Sequence, residues 1–195
     1  MINKVAVIGG SAGSIKVVKT ILGGISITNE SAILICLHRL QTDVSAGLRD
    51  VLQYATNIPV IEPKDREAIQ GGNIYLSPPN VHLVVEPDLC FSLSSSPLVQ
   101  YSRPSIDVLF LSASEVFQEN LVGVLVTGAN KDGAFGMKAI RESGGKTIVQ
   151  EPSECFIDTM PKSAMSMTAI DHVLGAESIK TWLDSYFKEK PTPQT

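Results

Sequence analysis

Short runs of consecutive apolar residues alternate along this chain with segments whose apolar positions recur every three to four residues. KVAVIGG (4–10) is β-branched, apolar and closed by glycines, the pattern of a strand buried on both faces of a parallel sheet. SIKVVKTIL follows with Ile15, Val18, Ile21 and Leu22 at helical spacing, and Gly23-Gly24 stops it. SAILICL predicts a second buried strand ending at His38, VSAGLRDVLQYA a second helix, and IPVIE a short third strand, which completes a βαβαβ pattern. Residues 68–100 differ. GGNIYLSPPN, VHLVVEPD and LCFSLSS read as short strands joined by Gly, Pro and Asp turns, a β-rich insertion of hairpins. From Pro104 the alternation resumes: SIDVLFLSASEVF as a helix, LVGVLVT as a strand, GAFGMKAIRES as a helix ended by Gly144-Gly145, and KTIVQ as a strand. MPKSAMSM is then a short helix, HVLG a brief strand and ESIKTWLDSYF a closing amphipathic helix. The expected fold is α/β, a doubly wound, mostly parallel sheet with a β-hairpin insertion at about 68–100. One domain is expected over 1–187, with a flexible polar tail at 188–195.

Composition narrows the function classes. The 195 residues suffice for one domain that buries roughly 70% of its unfolded surface. Hydrophobic residues at 44% and charged residues at 18% describe a globular chain. The net charge is −4 and the basic residues are scattered singly, which argues against a nucleic-acid partner. No lysine-rich amphipathic face suggests a membrane surface, and no stretch approaches the ~20 apolar residues that span a bilayer. Cys36, Cys90 and Cys155 are odd in number and widely spaced, which fits a reducing compartment better than a disulfide framework. With no signal peptide at the amino terminus, a cytoplasmic location without membrane insertion is expected. No histidine pair has metal spacing, so neither a metal nor another cofactor is expected.

Three loops carry candidate chemistry because each follows a predicted parallel strand. In an open α/β sheet the carboxyl ends of the strands share one edge, and residues distant in sequence converge there. Ser11 follows the first strand, His38 the second, and Asp132 the strand LVGVLVT. Gly9-Gly10-Ser11-Ala12-Gly13 matches G-x-S-x-G between a strand and a helix, where glycines permit the turn that lifts a serine hydroxyl clear. The following helix points free N–H groups at the same spot, and the Ala12 N–H is the first oxyanion candidate. From the loop alone, Ser11 is equally a helix cap and the loop a phosphate-binding turn, although G-x-G-x-x-G is not satisfied. Asp132 also reads as a cap for the helix starting near Gly133. His82 and His172 read as structural, Ser105 and Asp107 as caps after a proline, and Arg103 as a minor candidate for lining the site.

The chain resembles the catalytic domain of bacterial chemotaxis protein-glutamate methylesterases, the CheB family. The matching segments are VIGGSAGS, the strand ending in LH, GGNIYLSPPNVHLVV, RPSIDVLF, GVLVTGANKDGAFGM, GGKTIVQEP and MPKSAM, in order over nearly the whole chain. The resemblance implies a doubly wound parallel sheet and a Ser-His-Asp triad falling on Ser11, His38 and Asp132. It also links the backbone N–H of Ala129 to the oxyanion site. Ala12 and Ser14 stand where many members have threonine and a second glycine, and Ala129 where methionine is common. Most members carry an amino-terminal receiver domain. None precedes Met1 here, so control by phosphorylation in cis is not expected.

What the resemblance implies is hydrolysis of glutamate γ-methyl esters on cytoplasmic chemoreceptor helices, or on another methyl-esterified protein, with glutamine deamidation by the same groups. A separate regulator is an expected partner. A non-catalytic interaction module and a nucleotide-binding domain at Gly9–Gly13 are the competing readings.

Overall fold

The computed structural model describes residues 2–38 and 47–189. In chain order the strands are β1 (Lys4–Gly10), β2 (Ser31–Leu37), β3 (Val60–Ile61), β4 (Asn73–Leu76), β5 (His82–Val85), β6 (Phe91–Ser94), β7 (Leu121–Leu125), β8 (Lys146–Gln150) and β9 (His172–Leu174). The helices are α1 (Ser14–Leu22), α2 (Gly47–Gln53), α3 (Ile106–Phe117), α4 (Ala134–Glu142), α5 (Thr159–Met167) and α6 (Ala176–Lys188).

Seven strands form one sheet in the order β3-β4-β2-β1-β7-β8-β9, and every pairing in it is parallel. The chain builds outward from β1 through β2 to β4 and β3, then returns to the other side of β1 at β7. That reversal makes the carboxyl edge beside β1 and β7 the switch point where such sheets form their clefts.

Burial explains why the β-branched runs form strands: from Val5 to Ile8 and from Ala32 to Cys36 every side chain is buried. Alternate residues serve two cores. Val5 and Val7 of β1 pack with α3, α4, α5 and the hairpin, through Phe110, Met137, Met160 and Phe91. Ala6 and Ile8 pack on the other face with α1 and α6, through Val18, Ile21, Ile179 and Leu183. Helices on both faces make the sheet doubly wound, as expected.

The insertion at 68–100 is present as the antiparallel hairpin β5–β6. At its start, β4 differs from a hairpin strand: it pairs with β2 and β3 in the parallel sheet. Ile74, Tyr75 and Leu76 are buried on both faces there, a burial that an isolated hairpin could not supply. The predicted second helix begins, within the described residues, at Gly47; its residues 44–46 lie outside them. Of the tail 188–195, Lys188 closes α6 and Glu189 is its C-cap, while residues 190–195 lie outside the described residues.

Candidate active site

Ser11 leaves the end of β1 at the middle of the sheet. Its N–H donates to Thr127 O (2.9 Å), which ties it to the end of the β7 strand, and its carbonyl accepts from Ser14 N (3.0 Å) and Ser14 Oγ (2.6 Å). Gly13 completes the turn at φ 81°, a left-handed backbone that suits glycine, and a Cβ there would lie 2.5 Å from Phe156 Cβ. α1 therefore starts at Ser14, with Gly13 as an N-cap that offers no side-chain bond. The reading of Ser11 as a helix cap is thereby corrected: its backbone is fully engaged, while its Oγ makes no hydrogen bond among the described residues.

His38 follows β2, and the register places Leu37 opposite Gly10, so His38 stands beside Ser11 at the same edge. Its N–H donates to Gly10 O (3.1 Å). The imidazole Nε2 lies 2.7 Å from Asp132 Oδ2. A carboxylate only accepts, so Nε2 carries the proton and Nδ1 keeps a free lone pair. That lone pair faces Ser102 Oγ at 3.3 Å, and no hydrogen bond joins it to Ser11.

Asp132 is fully buried. Besides His38, it accepts from Ser105 Oγ (2.8 Å), Ile106 N (2.7 Å) and Asp107 N (2.9 Å). Burial alone would raise its carboxyl, yet the His38 hydrogen bond and the N–H groups of Asp107 and Ile106 hold it below the usual carboxylate range. The expectation that Asp132 caps its own helix is corrected: α4 has Gly133 at its N-cap without a side-chain bond, and Asp132 instead caps α3. The exchange is mutual, because Asp107 at the start of α3 accepts from Gly136 N of α4 (2.8 Å). Burial pushes Asp107 up to about 6; the Gly136 N–H opposes this and the Asp132 charge adds to it.

Beneath Ser11 lies a buried polar brace. Thr127 N donates to Gln150 Oε1 (3.0 Å), and Thr127 Oγ1 accepts from Ile157 N (2.9 Å) while standing 3.0 Å from the carbonyls of Ala12 and Ile157. Gly128 continues the wall. A Cβ on it would stand 2.6 Å from Met160 Cε and 3.1 Å from Ser11 Cβ. The N–H groups of Ala12 and Ala129 find no acceptor among the described residues.

The structure thus brings Ser11, His38 and Asp132 to one edge, with Ala12 and Ala129 on the flanking loops. It assigns the lesser candidates elsewhere. Arg103 ties the hairpin together, donating to Ser95 O, Ser96 O and Asn80 Oδ1 (2.9–3.3 Å). His82 accepts at Nδ1 from Ser105 N (3.2 Å) and donates from Nε2 to Pro97 O (3.1 Å), which supports the serine that holds Asp132. His172 lies against Trp182, ring centroids 5.3 Å apart. Ser102, Ser105, Thr127 and Gln150 were missed. Ser105 read as an ordinary cap, which it also is toward Val108 N, and a lone Gln ending a buried strand was the sole signal for the brace. Among the described residues no group of three or more His, Cys, Asp or Glu is placed to hold a metal, and no helix is long and apolar enough to cross a membrane.

The chain is similar to known proteins over most of its length. The family model described as CheB methylesterase matches residues 6–183. A protein of Leptospira interrogans serogroup Icterohaemorrhagiae serovar copenhageni (strain Fiocruz L1-130), named "Putative protein-glutamate methylesterase/protein-glutamine glutaminase", is 44% identical over 173 residues, 89% of each chain. Protein-glutamate methylesterase FrzG of Myxococcus xanthus is 34% identical over 181 residues, 91% of this chain and 54% of that one. The crystal structure of the Thermotoga maritima CheB methylesterase catalytic domain superposes with a TM-score of 0.88 at 26% identity, covering 95% of this chain and 99% of that one.

Proposed function

The chain belongs to the CheB methylesterase family, and on that premise we propose that Ser11, His38 and Asp132 hydrolyse glutamate γ-methyl esters on a protein substrate. It is a carboxylic ester hydrolase of the protein-glutamate methylesterase type. The observation that carries the residue assignment is the 2.7 Å His38–Asp132 hydrogen bond, set at the switch point beside a serine hydroxyl that makes no hydrogen bond among the described residues.

The protonation pattern dictates the direction of chemistry. Asp132 fixes the Nε2–H tautomer and offsets the charge of the imidazolium, so Nδ1 is the base. Ser11 Oγ attacks the ester carbonyl carbon as its proton passes to Nδ1. The carbonyl oxygen becomes an oxyanion held by the N–H groups of Ala12 and Ala129. The intermediate collapses, and methoxide leaves with the Nδ1 proton as methanol. Water then attacks the acyl-serine, giving a proton to Nδ1, and the serine recovers that proton as the glutamate carboxylate departs. A glutamine side chain enters the same sequence with ammonia as the leaving group. The substrate we assign is a methylated chemoreceptor helix, which the family resemblance implies and with which the protein-glutamate methylesterase names of the related proteins agree.

Release of isotopically labelled methanol from a methylated receptor fragment tests the reading. The wild type is expected to release it, and Ser11→Ala to lose release by about 10⁴-fold or more while staying folded. Undiminished release by Ser11→Ala contradicts the assignment.

A further inference from the structure

Resting on that assignment, we propose that Ser102 is a positioning residue that occupies the base nitrogen of His38 and competes with Ser11 for it. The neutral imidazole has one lone pair, on Nδ1, because Nε2–H is committed to Asp132. Ser102 Oγ faces that lone pair at 3.3 Å, whereas Ser11 Oγ makes no hydrogen bond among the described residues. Both hydroxyls cannot donate to Nδ1 at once. The Ser102 bond must therefore open before His38 can take the Ser11 proton.

The segment that carries Ser102 is built to move. Val99 and Ser102 close a tight turn through Val99 N to Ser102 O (3.2 Å) and Ser102 N to Val99 O (2.9 Å). Its two central residues, Gln100 (φ 48°) and Tyr101 (φ 62°), both lie in the left-handed region. Turns of this kind favour Gly and Asn there, so Gln and Tyr leave the segment strained. Tyr101 is 95% exposed, so nothing in the described chain holds its ring. Among the described residues, the hydrogen bonds that reach the turn from the far wall come from Asn130 Nδ2, 3.5 Å from both Gln100 O and Ser102 Oγ. The next residue behaves oppositely: Arg103 is pinned to Asn80, Ser95 and Ser96. The turn can thus swing out from Arg103 while Ser105 and Asp132 stay in place. A substrate segment entering past Tyr101 would displace it and free Nδ1 for Ser11.

The test is the rate at which a fluorophosphonate ester modifies the enzyme, a reaction that reports on an activated serine. One displaced neutral hydrogen bond predicts that Ser102→Ala accelerates modification about two- to tenfold. Ser102→Thr, which keeps the hydroxyl, restores the wild-type rate, and Ser11→Ala is not modified. An unchanged or slower rate in Ser102→Ala, with Ser11→Ala still silent, overturns the competition and leaves the Ser11 assignment standing. Equal acceleration by Ala and Thr overturns it too, since a loosened turn and not the hydroxyl would then be the cause. Modification persisting in Ser11→Ala overturns the assignment itself, and the competition with it.

Discussion

One carboxylate, that of Asp132, does two jobs. It orients His38, and with three further donors it closes the start of α3. Asp132→Asn should therefore lose more than a purely catalytic aspartate would. We expect kcat to fall about 10⁴-fold because the tautomer is no longer fixed. Stability should fall by about 1–2 kcal/mol because a cap is weakened. Parallel methanol-release assays and urea unfolding separate the two effects, and unchanged unfolding would contradict the capping role. Gly128→Ala is a subtler probe. Met160 can give way at its flexible end, but the new Cβ also crowds Ser11 Cβ, so kcat should drop several-fold with little change in KM; an unaltered kcat would contradict the crowding. Ser11, His38 and Asp132 are legible as candidates because each stands just past a strand whose apolar pattern is plain. Ser102, Ser105 and Thr127 were not, since small polar residues near Pro and Gly read first as turns and caps.

At the scale of elements, α3 and α4 exchange caps: Asp132 holds the first turn of α3, and Asp107 holds that of α4. Both helices begin at the carboxyl edge of the sheet, so their dipoles converge on two buried acids. The two acids respond oppositely to pH. Asp107 is raised to about 6. Below about pH 4 it is protonated in both folded and unfolded states; above that, the unfolded chain loses its proton first, so stability falls as pH rises through 6. Asp132, held low, contributes stability that is fully present above about pH 4, where the unfolded carboxyl is ionised, and is lost as pH falls from there through its folded value. Asp107→Asn keeps an acceptor for Gly136 N and removes the charge. Its stability relative to wild type should grow by roughly 2 kcal/mol between pH 4.5 and 7, as read by urea unfolding. A difference independent of pH would contradict the account. No single-helix pattern could announce this exchange, because the cap of α3 lies just ahead of α4 and the cap of α4 lies within α3. The short strand β4 was hidden for a related reason. Four residues between Gly72 and Ser77 look alike whether they join a hairpin or a parallel sheet, and pairing with β2 decides it.

For the whole molecule, the wiring puts β1 between β2 and β7, and this creates the site. The same central strands unite both cores, so the described chain should unfold as one unit. Ile35→Ala, which empties a fully buried position on β2, is expected to cost about 2–5 kcal/mol and to shift far-ultraviolet and fluorescence transitions together. Separated transitions would contradict a single cooperative sheet. The doubly wound architecture was readable from the alternation of buried runs and amphipathic helices. The closeness of Ser11 to Thr127 and of His38 to Ser102 was not, because it depends on strand order and on how the turn after Val99 folds back.

The most direct test of the central claim is to trap the acyl-enzyme. Wild-type protein mixed with a glutamate-γ-methyl-ester peptide and quenched in acid within the first turnover is digested with trypsin and weighed. The account predicts an acyl adduct on the fragment Val5–Lys16, which contains Ser11, formed with one methanol released and absent in Ser11→Ala. An adduct on the fragment that carries Ser102, or methanol release with no adduct and no loss in Ser11→Ala, would contradict it.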